Sequence, residues 1–266
     1  MPPKGFRCSE ALSRASSPLA RIHAPLAGRG VRLRSALEME PMKLVIPVGD
    51  ERVAALLLRP PEAKALYLFA HGAGAGMTHK AMASNAEGLA ARAVATLRYQ
   101  FLYMEKGSKR PDPPKLAYAV IRAAAARATE LAPDLPLFAG GRSFGGRMTS
   151  QAQAAAPLPN VRGLAFLGFP LHPAGKPGVE RADHLADVRI PMLFISGDRD
   201  ALAETDLLKP AVARLGERAT LHLVRHADHS FRTAAKCGRT SADAEVEILD
   251  ALAGWIGGDP GRHSMG

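Results

Sequence analysis

Cysteine is scarce in this chain. Cys8 and Cys237 are the two among 266 residues, and they lie far apart. That spacing excludes a disulfide framework and any cysteine-based metal cluster, and it fits a reducing cytoplasm. Long apolar stretches are also missing. No uninterrupted run approaches the roughly 18 residues a membrane-spanning helix needs, so no membrane association is expected. The histidines show no H-E-x-x-H or similar close pairing on one helix, so no metal is expected. Acidic residues are few at the start. Residues 1–38 carry seven Lys/Arg against Glu10 and Glu38, which is half of the net charge of +10. The remainder is only mildly basic and lacks Lys/Arg clusters interleaved with aromatics, which argues against a nucleic-acid partner.

Residues 1–38 have no countable hydrophobic period and no apolar h-region, which excludes a secretory signal. Their Arg- and Ser-bearing composition is shared by transit peptides. The preferred reading is a disordered tail or an extension ahead of a start at Met39 or Met42, outside the fold either way. A hydrophobic content of 47% supplies ample core for the remainder. Residues 39–258 are expected to form one domain, with 259–266 a flexible C-terminus.

From residue 43 the pattern becomes regular. Leu44–Val48 and Val53–Leu58 flank Gly49-Asp-Glu and predict an opening hairpin, with Pro47 marking an edge strand. Ala65–Ala70 is a continuous apolar run of the kind buried on both faces of a parallel sheet. Further strands are expected at 94–98, 163–168, 190–196 and 220–224. Helices are expected at 82–92, 116–131, 145–156, 204–215 and 241–256, and residues 99–114 as a long polar, proline-rich loop. Strands alternating with helices imply a mostly parallel central sheet with helices on both faces.

The chemistry centres on Leu137-Phe-Ala-Gly-Gly-Arg-Ser-Phe-Gly-Gly-Arg147. A short apolar strand ends in Gly141-Arg-Ser143-Phe-Gly145, and a helix-compatible segment follows, as in a nucleophile elbow. Such a turn lifts a serine hydroxyl to the strand end at the cost of backbone strain. Gly141 and Gly145 are expected where strand and helix approach too closely for a Cβ. Upstream, His71-Gly-Ala-Gly-Ala-Gly76 follows a strand. It lacks the Gly-Lys-Ser/Thr ending of a phosphate loop and the order of a dinucleotide site. An oxyanion-hole loop or a plain turn remain, with Ala73 and Phe144 the candidate N–H donors. His71 is expected to brace this loop.

Serine is unreactive at its own pKa, so a histidine must take its proton and a carboxylate must hold that imidazole. Downstream, Gly197-Asp-Arg-Asp200 and His226-Ala-Asp-His229-Ser-Phe231 each leave a strand, in the order such sites require. Asp200 is placed ahead of Asp198, which sits nearer the turn and suits a capping role. His229 is placed ahead of His226, and Asp228 is expected to be a loop carboxylate. His172, in a Pro-rich loop, suits a pocket or a structural role equally.

These motifs, with Leu97-Arg-Tyr99, Tyr103-Met-Glu-Lys-Gly107 and Phe169-Pro-Leu-His-Pro173, resemble the α/β-hydrolases across residues 43–257. More narrowly, they resemble a dienelactone-hydrolase-like family that includes the hydrolase-like domain of a eukaryotic histone-acetyltransferase complex subunit. The resemblance implies a Ser-His-Asp hydrolase without cofactor. It departs from true dienelactone hydrolases, whose nucleophile is cysteine, and no long insertion supplies a lipase lid. The expectation is a serine hydrolase of a small ester or thioester, monomeric or homodimeric, acting through an acyl-enzyme on Ser143. The competing expectation is a catalytically idle binding module on the same fold.

Overall fold

The computed structural model describes residues 39–234, 237–258 and 260. The expectations for residues 1–38, and for 259–266 apart from Pro260, lie outside the described residues. Among the described residues eight strands make one sheet: β1 (Met42–Val48), β2 (Glu51–Leu58), β3 (Ala65–Ala70), β4 (Val94–Tyr99), β5 (Leu137–Arg142), β6 (Val161–Leu167), β7 (Met192–Gly197) and β8 (Ala219–Val224). Their spatial order is β1-β2-β4-β3-β5-β6-β7-β8. The β1–β2 and β2–β4 pairs are antiparallel, and every later pair is parallel. Pro47 does sit on the edge strand, where its missing N–H breaks no ladder towards a further neighbour.

Among the described residues six α-helices accompany the sheet: α1 (Lys80–Ala90), α2 (Leu102–Glu105), α3 (Pro114–Leu131), α4 (Phe144–Ala155), α5 (Thr205–Ala213) and α6 (Ser241–Gly257). The apolar run of β3 shows how the layers form. All six of its residues are buried, yet Leu66, Leu68 and Ala70 join a core with Val120 of α3, Met148 of α4 and Leu208 of α5. Tyr67 and Phe69 point the other way, into a core with Leu89 of α1 and Leu252 of α6. A strand's side chains alternate between faces, so a central strand covered on both sides must be apolar throughout.

Two local expectations need correction, and one short element was not expected. The segment 99–114 is not wholly a loop. It contains the single turn of α2, whose Leu102 and Tyr103 are buried, and Pro114 opens α3 from its first turn, where a missing N–H costs nothing. Helix α1 starts at Lys80 because the His79 ring caps the Ala81 N–H at 3.2 Å. Between β6 and β7 a 3-10 segment, Glu180–Asp187, follows the Pro-rich loop. Its single buried residue, Leu185, is too little apolar pattern to read from sequence.

Candidate functional site

Parallel strands place their carboxyl ends on one edge of the sheet, and chain segments leaving β3, β5, β7 and β8 meet there. Ser143 sits between β5 and α4 with φ 47° and ψ −115°. A non-glycine residue there is strained by about 1–3 kcal/mol, which the surroundings must hold in place. The Ser143 N–H donates to the Leu167 carbonyl at 3.0 Å, tying the turn to β6. The flanking glycines are required by a neighbour other than the expected one. A Cβ on Gly141 would lie 2.3 Å from the Ala70 carbonyl oxygen, and one on Gly145 would lie 2.5 Å from that of His71. The crowding atoms belong to the end of β3, which is pressed against the turn.

His229 and Asp200 arrive from the far side. The His229 Nε2 lies 2.9 Å from the Ser143 Oγ, and its Nδ1 lies 2.8 and 2.9 Å from the two Asp200 carboxylate oxygens. An N–H at Nδ1 therefore donates to the carboxylate, leaving Nε2 as acceptor for the serine hydroxyl. Asp200 is buried, and its Oδ1 also accepts the Leu202 N–H at 2.8 Å. The rival candidates have structural partners. Asp198 accepts the His226 N–H at 2.7 Å, and Asp228 accepts those of Ser230 and Arg232, both at 2.8 Å. His226 itself holds a φ of 64° at the turn after β8.

The loop after β3 is braced from β4 and α2. His71 Nδ1 donates to the Gly72 carbonyl at 2.8 Å, and Nε2 accepts the Phe101 N–H at 3.2 Å. Burial lowers the His71 pKa to about 4, against a smaller upward pull from the Gly72 carbonyl, so the ring is neutral as these bonds require. Tyr103 Oη accepts the Gly74 N–H at 3.2 Å, and Gln100 accepts the Met77 N–H at 2.8 Å. Among the described residues, the Ala73 and Phe144 N–H groups have no hydrogen-bond partner. Phe144 is the first residue of α4, where no earlier turn offers a carbonyl.

A cavity of about 330 Å³ opens beside Ser143 and is lined also by Ala73, Phe144, Arg147, Arg181 and Asp112. Phe101, Tyr103 and Phe144 pack edge-on behind it, with ring centroids 5.3 and 6.2 Å from that of Phe144. A larger depression of about 660 Å³ along α6 is lined by His222 and Glu247 and by none of these residues. His172 does not line the 330 Å³ cavity: it is fully buried, with Nδ1 donating to the Pro173 carbonyl at 2.9 Å and Nε2 bound to Glu204. Burial presses its pKa down, but the Pro173 carbonyl and the Glu204 carboxylate lift it above the ordinary histidine value.

Several residues here carried no sequence signal for the site. Gln100 belongs to no motif, and Tyr103 sits in one with no legible task until the loop they hold is seen. Arg142, next to Ser143, donates to Asn85 at 3.0 Å and to the Ser230 carbonyl at 3.4 Å, and stacks on Phe231 at 5.4 Å. It thereby ties the serine turn to the His229 loop. Arg147 belongs to the elbow motif, but nothing in the spacing predicts that it faces the cavity.

Fold and site geometry together define an open, mostly parallel α/β enzyme-type scaffold with a serine at its switch edge. Residues 63–257 match the family described as an alpha/beta hydrolase domain, and the chain belongs to that family. Among solved structures, it is similar to a dienelactone hydrolase from Anabaena variabilis, at 22% identity and TM-score 0.66, covering 83% of this chain and 99% of that one. Est1E from Butyrivibrio proteoclasticus matches at 15% identity and TM-score 0.63, covering 82% and 98%. A serine hydrolase without lid from Xanthomonas campestris matches at 20% and 0.63, covering 81% and 95%. The dienelactone-hydrolase-like assignment read from the motifs agrees with these neighbours. Among the described residues no helix is long and apolar enough to cross a membrane.

Proposed function

We propose that this protein is a serine hydrolase of a small ester or thioester. The observation that carries the proposal is the continuous chain of hydrogen-bond distances, 2.9 Å from Ser143 Oγ to His229 Nε2 and 2.8 Å from His229 Nδ1 to Asp200. Ser143 Oγ attacks the carbonyl carbon while its proton passes to His229 Nε2. Asp200 holds the imidazole in the tautomer that can accept it and stabilises the resulting charge. The carbonyl oxygen becomes an oxyanion facing the Phe144 and Ala73 N–H groups, each worth on the order of 3 kcal/mol to the transition state. Collapse expels the alcohol or thiol, which takes the proton from His229 and leaves an acyl group on Ser143. Water then attacks that ester with His229 again as base, releasing the acid and restoring the serine.

The position of these two donors supports this reading, because Ala73 and Phe144 line the cavity beside Ser143 and neither N–H is spent on an acceptor among the described residues. The similar solved structures, among them a dienelactone hydrolase and a serine hydrolase without lid, support it further. The test is labelling with a fluorophosphonate probe, followed by mass spectrometry to locate the adduct. An adduct on Ser143 that is absent in Ser143→Ala and suppressed in His229→Ala is the expected result. Folded wild-type protein that stays unlabelled would overturn the proposal in favour of a binding module.

A further inference from the structure

Among the described residues, the cavity beside Ser143 is lined by two guanidinium groups that form no ion pair. Arg147 lies in the first turn of α4, and its side chain lines the same cavity as Ser143. Its Nε is buried and, among the described residues, has no hydrogen-bond partner and no carboxylate within ion-pair distance. Arg181 lines the same cavity from the 3-10 segment. Its Nη1 donates to the His172 carbonyl at 3.0 Å, and among the described residues it too forms no ion pair. Burial, then the neighbouring charge of Arg181, both lower the Arg147 pKa, as expected for like charges facing one space. Asp112 is the acidic group on this wall, and its carboxylate accepts the Tyr103 N–H at 3.1 Å.

A half-buried guanidinium with an unmet N–H and no opposing charge is costly to keep, and what it lacks is an anion's oxygens. Its planar fork matches a carboxylate through two parallel N–H···O bonds. Asp112 in the same space disfavours a dianion more than a monoanion. We infer that the substrate carries a carboxylate of its own, held by Arg147 and Arg181 while the scissile carbonyl lies at Ser143. This rests on the hydrolase reading and specifies its substrate class. The probe is the monoester of a six-carbon diacid, whose second acid group stands off from the ester by a short alkyl span.

The test compares two esters of equal chain length, 4-nitrophenyl hexanoate and the mono-4-nitrophenyl ester of adipic acid, with spontaneous hydrolysis subtracted. Wild type should favour the adipate by roughly tenfold or more in kcat/KM, mainly through KM, the size expected for a charge-assisted contact. In Arg147→Gln that ratio should fall to about one or below, and Arg181→Gln should lower it in the same direction if Arg147→Gln folds poorly. A wild-type ratio near one, or a ratio that neither variant changes, overturns the inference. Calorimetry on Ser143→Ala with methyl hydrogen adipate and methyl hexanoate separates this result from failure of the hydrolase reading. Binding of the anion alone, lost on adding Arg147→Gln, supports the subsite even when wild type turns over neither ester. Equal or undetectable binding of the two overturns it.

Discussion

Protonating His71 should loosen the loop that follows β3, and the loss can be estimated. The ring is fully buried, donates to the Gly72 carbonyl, and accepts the Phe101 N–H, which an imidazolium cannot do. Its folded pKa is about 4, well below the ordinary 6.5 that applies in the unfolded chain. The unfolded state therefore binds more protons between these values, and stability must rise with pH across that window. Full stability is present above pH 6.5 and is lost progressively as pH falls towards 4, below which both states are protonated. Between pH 7.5 and 5 the linkage amounts to about 2 kcal/mol from this one ring, a sizeable part of a typical 5–15 kcal/mol. His184, lowered to about 4 by burial and by Arg147, acts in the same direction. His172, whose pKa is raised, acts oppositely: its contribution is present below 6.5 and is lost as pH rises through its folded value. The total pH dependence is thus composite, and a variant must isolate His71. Urea unfolding of wild type and His71→Gln at pH 7.5 and 5 supplies the comparison. The variant should be less stable at pH 7.5, yet lose about 2 kcal/mol less than wild type on acidification. Equal losses in the two proteins would refute the reasoning.

Asp200→Asn should leave the fold intact while reducing ester hydrolysis by roughly 10⁴, because an amide facing Nδ1 favours the wrong imidazole tautomer. Steady-state rates alongside circular dichroism check this, and a loss under tenfold would remove Asp200 from its proposed role. Gly145→Ala places a Cβ 2.5 Å from the His71 carbonyl oxygen and 2.7 Å from the Ala70 Cβ, neither of which can swing aside. It should cost roughly 1–3 kcal/mol. At about 2–4 °C per kcal/mol the melting temperature should drop measurably, together with fluorophosphonate labelling. A variant as stable and as reactive as wild type would count against the close approach.

Much of this protein is legible along the chain. The apolar run Ala65–Ala70 and its counterparts predict buried parallel strands, because a strand covered on both faces has no polar side. Ser143, Asp200 and His229 are readable as candidates because each follows a strand, and the carboxyl ends of parallel strands must share an edge. What the sequence alone determined was therefore whatever depends on short-range pattern and chain order. Three-dimensional packing decided the rest. Gly141 and Gly145 look like requirements of their own turn, but the atoms that exclude a Cβ belong to Ala70 and His71, over 70 residues earlier. Asp198 and Asp200 differ by two positions, and only the turn after β7 directs one to a backbone N–H and the other to an imidazole. Arg147 and Arg181 are 34 residues apart in the chain and line one cavity. Nothing local to either residue specifies that meeting, because a side chain's charge environment is set by what folds against it.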